Sequence, residues 1–364
     1  MKLGLAGKTA LVLGASKGLG AAIAVALANE GAHVIGAARS VDAIAALAAQ
    51  IDTANGGQIE AHALDLTEPG SVAALADAML ARGGVDILIN NSGGPAPGEA
   101  RSAPPEAWQS GFEAMVASVI GLTQRLLPPM VERQWGRIIT LTSSGVDAPI
   151  ARLAVSNGLR LALVGWSKTL AGEVAADGVT VNVIVQGRIH TDRVNQLDEA
   201  AAKRGDTSVD AVRQASRATI PAGRYGRPEE LADVVAFLAS ERASYVTGSR
   251  IRVDGGMIKP CSGPGRCGGL ELGGAGEHPG QAQQGQQAAA QQQAIHEGGR
   301  LAGGLDHLQE HADHGADGEH GKPLPAEQAE RGGGARAGKR AHDGQAAQDI
   351  EQRQRMQQAG QGEE

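Results

Sequence analysis

The sequence predicts an α/β domain built on one doubly wound parallel sheet of about seven strands. Three observations carry this reading. Short apolar runs recur through the first 258 residues, each followed by a segment of helical periodicity. The first run ends in a glycine-rich turn that leads straight into an Ala-rich helical pattern. Beyond Pro260 the apolar runs stop and the composition becomes Gly-, Gln-, Ala- and His-rich.

The first strand is predicted over Lys8 to Leu13, and its turn reads Gly14-Ala15-Ser16-Lys17-Gly18-Leu19-Gly20, with a helix following to Asn29. Gly14 permits the tight turn, Gly18 lets the backbone approach a phosphate, and Gly20 lets the helix pack on the strand. That is the Rossmann-type arrangement. Ser16, Lys17 and Leu19 complete the loop that faces the anion. Further strands are predicted over His33 to Ala38, Gln58 to Ala63, Val85 to Asn90, Arg137 to Leu141, Val179 to Val185 and Arg250 to Val253. Pro228-Glu229-Glu230 opens the last helix, where proline suits the first turn and the acids suit the dipole.

Several separated segments carry a family resemblance. They are Gly14-x-x-x-Gly18-x-Gly20, Asp65-Leu66, Asn90-Asn91-Ser92-Gly93, Ser143, Gln186-Gly187-x-x-x-Thr191, and Gly226-Arg227-Pro228-Glu229-Glu230 through Asp254-Gly255-Gly256. Residues 5 to 258 resemble a short-chain dehydrogenase/reductase, with the pattern of the 3-oxoacyl-acyl-carrier-protein reductase branch. The resemblance implies that Asp65 and Leu66 flank an adenine, that Asn91 and Gly93 line the cofactor groove, and that Gly187, Ile189 and Thr191 meet the nicotinamide end. Read singly, Asp65 and Asn91 are equally good loop caps. Their places at successive strand ends favour the cofactor.

Charge selects the cofactor. A 2′-phosphate needs a cation near the end of the second strand, whereas a free ribose diol needs an acid. That strand ends in Ala37-Ala38-Arg39-Ser40, Lys17 adds a second cation, and no acid stands at the strand end. NADP(H) is therefore expected over NAD(H), against the alternative that Arg39 is a solvated surface cation.

The catalytic half departs from the resemblance. Ser143 takes the family serine position, and thirteen residues on, where a tyrosine is expected, stands Ser156. Arg160 takes the lysine position one helical turn later, where it is expected to hydrogen-bond the cofactor's ribose diol and oppose negative charge. Met115 falls where an active-site asparagine is expected, although an unbranched apolar side chain there also reads as core. The only tyrosines are Tyr225 and Tyr245, neither of them a substitute by position. A serine hydroxyl is a far weaker acid than a phenol, and Arg160 offers charge but no transferable proton at neutral pH. His190, in the loop after the sixth strand, is the one nearby group whose ordinary pKa suits proton donation, with a surface role as its alternative.

The segment from Arg188 to Ile220 is long, charged and predicted to contain a helix; the resemblance makes it the substrate lid. Its Arg193, Lys203, Arg204, Arg213 and Arg217 are balanced by Asp192, Asp198, Glu199, Asp206 and Asp210, so it reads as a solvated helix of mixed charge. The helices over Trp108 to Met130 and Ala154 to Ala175 are apolar beyond one face, and the resemblance pairs them in a homotetramer or homodimer.

Domain bounds follow: residues 1 to 260 form the NADP-binding domain and residues 261 to 364 a low-complexity extension, expected to be disordered because it lacks Phe, Trp, Tyr, Val, Thr and Asn. The extension holds Cys261, Cys267 and seven of the ten histidines, including His311, His314 and His320, which reads as a biased tract and not as a metal site. It is expected to be a read-through, frameshifted or fused addition. A net charge of −7 and the lack of a basic stripe exclude nucleic acid as an expected partner. The start, Met1-Lys2-Leu3-Gly4, carries no signal peptide pattern, no apolar run is read as long enough to span a bilayer, and the Cys-free domain suits the cytoplasm. Two functions stay open: an NADP(H)-dependent oxidoreductase acting on a small carbonyl or alcohol, acyl thioesters included, with atypical catalytic residues; or a catalytically impaired NADP(H)-binding protein with a regulatory or sensing role.

Overall fold

The computed structural model describes residues 2–51 and 53–259. The extension after residue 260, with its cysteines and its histidine cluster, lies outside the described residues, as does the disorder expected of it.

Seven strands form one sheet, all parallel, in the order β3-β2-β1-β4-β5-β6-β7. They are β1 (Thr9–Leu13), β2 (His33–Ala38), β3 (Gln58–Ala63), β4 (Ile87–Asn90), β5 (Gly136–Leu141), β6 (Val179–Gln186) and β7 (Arg250–Val253). The strand order turns back between β1 and β4, which leaves a crevice at the carboxyl ends of those two strands. Six of the seven predicted strands are right to within one residue at each end; β4 starts two residues later than expected.

The apolar runs are continuous because both faces of the sheet are covered. Along β1, Ala10 and Val12 face a core shared with α1 (Gly18–Asn29) and α9 (Pro228–Ala239), through Ile23, Leu27, Leu231 and Val235. Leu11 and Leu13 face the opposite core, filled by α3 (Pro69–Leu80), α5 (Ser118–Glu132) and α6 (Ala154–Val174), through Leu75, Met79, Leu122, Leu126 and Leu170. A short helix, α2 (Val41–Ala48), follows β2 and buries Ile44.

Two helical predictions need correction. The helix expected over Trp108 to Met130 begins earlier, as α4 (Pro105–Phe112), passes through a π-helical turn at Glu113–Ala117 and runs on as α5. Ser118 explains the turn locally, since its amide and its hydroxyl (2.8 Å) both donate to the Glu113 carbonyl, five residues back. As one rod, Pro105–Glu132 is long and apolar enough to cross a membrane, contrary to the expectation that no run would be. Its Met115, Val116, Val119, Leu122, Leu126 and Met130 are instead buried in the core, and its Arg125 pairs with Asp77 at 2.5 Å. The lid, expected to hold one helix, holds two: α7 (Asp192–Arg204) and α8 (Val209–Ala218), the second capped by the Ser208 hydroxyl on the Ala211 amide.

Leu88, at the centre of β4, has no exposed surface. Leu88→Ala is expected to lower unfolding free energy by about 2–5 kcal/mol in urea titration, through lost transfer energy and a residual cavity.

Candidate functional site

The glycine turn is held by contacts only glycine allows. Gly14 and Gly18 have φ of 65° and 58°. A Cβ on Gly20 would overlap the Gly14 carbonyl oxygen, and one on Gly14 would lie 2.8 Å from Asn91 Nδ2. The Gly14 amide donates to the Ala37 carbonyl at 2.7 Å, so the turn is stitched to β2. Asn91, just past β4, donates from Nδ2 to the Leu13 carbonyl at 3.1 Å. Its side chain thus locks the turn across the crevice, the loop-capping role read as its alternative. At the start of α1, Lys17 makes no side-chain cap and the first turn carries no acid, which leaves amide donors facing the crevice for an anion.

The ends of β2 and β3 converge beside this turn. Asp65 accepts from the Thr67 amide (3.0 Å) and hydroxyl (2.8 Å), and these bonds, with the charge of Arg39 as a smaller cause, hold its carboxyl below the usual range. Arg39, Ser40 and Lys17 are exposed, and Leu66 is half-buried. Among the described residues neither Arg39 nor Lys17 forms an ion pair.

The segment after β6 closes on the turn from the other side. A Cβ on Gly187 would lie 2.6 Å from the Asp254 Cα, so the chain passes here only as glycine. Ile189 bridges Gly226, the His190 amide donates to the Gly226 carbonyl at 2.8 Å, and Thr191 Cγ2 lies 3.6 Å from where a Gly18 Cβ would stand. Arg224 and the Arg227 amide both bind Glu230, and these bonds hold its carboxyl at about 2. The 224–227 segment that carries Gly226 is clamped in this way to the first turn of α9.

At the catalytic end, the half-buried Ser143 accepts from the Gly145 amide at 3.2 Å, which leaves its hydroxyl proton free to donate. Arg160 is 8% exposed and donates to the Leu141 carbonyl (3.0 Å) and the Ser92 carbonyl (3.2 Å). Burial, and then the charge of Arg193, push its pKa down to about 10, which still leaves it charged at neutral pH. Ser156, one turn earlier on α6, is half-buried, and its hydroxyl has no partner among the described residues. Met115 lies in the π-helical turn, 2% exposed, among Val116, Val119, Val155 and Leu159. The structure thus supports the core reading of that residue. Gly93 is exposed beside the crevice, as is His190.

Neither tyrosine stands in for the missing phenol. Tyr225 donates its hydroxyl to Asp198 at 3.0 Å, and Tyr245 is fully exposed before β7. Asp198 corrects the reading of the lid as solvated: it has no exposed surface, pairs with Arg188 at 2.6 Å and has Arg213 at 3.9 Å. It ties the post-β6 loop, α7, α8 and the segment before α9 together, a knot for which no local sequence pattern exists.

Because Glu230 has its folded pKa lowered, its contribution to stability is complete above about 4.5 and is lost as pH falls through about 2. The difference in urea midpoint between the protein and Glu230→Gln should hold steady above that upper value and shrink as pH approaches the lower one.

A family model described as enoyl-(acyl carrier protein) reductase matches residues 14–258. The 3-oxoacyl-[acyl-carrier-protein] reductase FabG of Escherichia coli (strain K12) is 38% identical over 252 residues, covering 69% of this chain and 97% of that protein. Among solved structures, L-sorbose reductase from Gluconobacter frateurii, complexed with NADPH and L-sorbose, is 35% identical with a TM-score of 0.67, over 71% of this chain and all of that one. A 3-oxoacyl (acyl-carrier-protein) reductase from Agrobacterium tumefaciens with NADP bound is 33% identical with a TM-score of 0.63, over 70% of this chain and 95% of that one. With its glycine turn, its parallel sheet and these relatives in agreement, the chain belongs to the short-chain dehydrogenase/reductase family.

Proposed function

We propose that the protein is an NADP(H)-dependent oxidoreductase that reduces a small carbonyl compound, or oxidises the corresponding alcohol, with an altered proton-donating apparatus. The observation that carries this reading is the crevice between β1 and β4, where a Cβ on Gly20 would overlap the Gly14 carbonyl and free amides open α1. Those features fit a pyrophosphate, and the exposed Arg39 and Lys17, unpaired among the described residues, fit a 2′-phosphate. Relatives whose structures hold NADPH or NADP support the same choice.

When bound, the dinucleotide supplies or takes up the hydride. The protein's own part is to orient the carbonyl and to stabilise the charge that develops on its oxygen. Ser143 donates its hydroxyl to that oxygen. Arg160 remains a buried cation, anchored through Leu141 and Ser92, and the Ser156 hydroxyl stands one turn earlier on the same helix. No phenol is poised to give the proton, so the proton comes from water, by way of these hydroxyls, or from His190. Loss of a positioned acid costs roughly 10² to 10⁴ in rate. The same observation favours the second reading, an NADP(H)-binding protein in which turnover is residual and binding is the function.

Acyl thioesters belong among the substrates to try, given the curated relatives. A second copy of the chain would cover Trp108, Phe112 and Leu161, which stay exposed on α4 and α6, in a cytoplasmic homodimer or homotetramer.

Full-length protein is expected to bind NADPH, seen as a change in its fluorescence, and to oxidise it slowly with some member of a panel of ketones, quinones and acetoacetyl thioesters. Tight binding without any turnover would leave the binding-protein reading, and no binding would sink both. Ser156→Tyr should raise the rate about 10²-fold or more if the missing acid limits it. Arg39→Ala should weaken NADPH binding about 10- to 100-fold, the worth of a charge-assisted hydrogen bond, and leave NADH binding unchanged.

A further inference from the structure

We infer that Arg193 and Arg160 form an anion subsite astride the Ser92–Pro95 loop, and that the substrate is a short oxo acid held there by its carboxylate. The inference rests on the oxidoreductase reading and names its substrate class. Arg193 is the second residue of α7, two positions after the threonine that closes on Gly18. Its Nη2 donates to the Pro95 carbonyl at 2.8 Å and lies 3.6 Å from where a Gly94 Cβ would stand. Arg160 holds the other end of the same loop through the Ser92 carbonyl, at 3.2 Å. Two guanidinium groups therefore grip one short loop, close enough that the charge of Arg193 acts on Arg160.

Among the described residues neither guanidinium has an acidic partner. Arg188 and Arg213 of the lid, by contrast, face the buried Asp198. Bonds to three backbone carbonyls satisfy some of the donors but neutralise none of the charge. Two like charges on one loop raise the local potential, and an anion bound beside the exposed Arg193 relieves their repulsion. Gly93 and Gly94 are exposed, so no side chain of the loop fills the space beneath Arg193. A carboxylate matches the planar fork of an arginine and can be held by two parallel bonds. A thioester or methyl ester of the same acid offers no such charge.

The test is calorimetric titration of acetoacetate and of methyl acetoacetate into full-length protein saturated with NADPH. The acid should bind at least tenfold more tightly than the ester, and the preference should shrink as salt is raised. Arg193→Gln should abolish the preference while NADPH affinity stays within twofold; Arg193→Lys, which keeps the charge and loses the fork, should retain part of it. Equal binding of acid and ester by the unaltered protein would overturn the inference. So would an Arg193→Gln protein that loses acetoacetate and NADPH affinity by the same factor, since Arg193 would then serve a cofactor phosphate. Failure of NADPH to bind at all would instead strike the oxidoreductase reading, and the acid-to-ester ratio measured without cofactor would still decide the subsite. Should the glutamine variant not fold by circular dichroism, the salt dependence of the preference in the unaltered protein carries the test.

Discussion

The close approach of backbone to backbone where β1 turns into α1 is the constraint on which the rest of this structure depends. Gly20 sits against the Gly14 carbonyl, and Asn91 reaches across from the end of β4 to the Leu13 carbonyl. One side chain at Gly20 would push α1 off the sheet, and with it the amides that face the crevice. Every other cofactor-facing segment is referred to this turn. Its amide bond to Ala37 sets the end of β2, and so the place of Arg39, while Thr191 closes over Gly18 from the far side. The crevice is therefore shaped mostly by main chain.

The catalytic half follows a different physical logic. A lysine in place of Arg160 would be one flexible ammonium, free to serve a ribose and a phenol in turn. Arg160 is instead a rigid fork, buried and bonded to two carbonyls at the ends of β5 and β4. It works as a strut between those strand ends as well as a charge. Met115 has joined the apolar cluster with Val155 and Leu159, and the π-helical turn that carries it is kept by Ser118. The cation at this end of the crevice is anchored by two carbonyls.

How much of this was legible in the sequence divides along the same line. The strands read well because a sheet covered on both faces needs continuous apolar runs, and the glycine turn read well because its glycines answer to sterics within seven residues. Ser143, Ser156 and Arg160 were found by counting along one helix and one strand. Asn91 was found in place, but its bond to Leu13 depends on how β4 lies beside β1, which no local spacing states. The π-helical turn hangs on a single serine hydroxyl within a pattern that otherwise reads as plain helix. Asp198 was read as solvated because it is surrounded in sequence by charge; its burial comes from Arg188, Arg213 and Tyr225, ten to twenty-seven residues away.

The lid makes the point most sharply, because its composition looks evenly mixed and its pairing is not. Asp198 draws Arg188, Arg213 and the Tyr225 hydroxyl into one buried knot, and a buried carboxylate needs such partners to stay charged. The knot takes up one acid and two arginines, which leaves Arg193, Lys203, Arg204 and Arg217 beside Asp192, Glu199, Asp206 and Asp210 in the rest of the segment. Arg193 reaches across to the Pro95 carbonyl and the buried Arg160 to the Leu141 and Ser92 carbonyls, neither with an acidic partner among the described residues. A segment whose charges nearly cancel on paper thus pairs them unevenly, with one carboxylate in its interior serving two guanidiniums. Charge counted along the chain says little about a site until the pairing of each group is known.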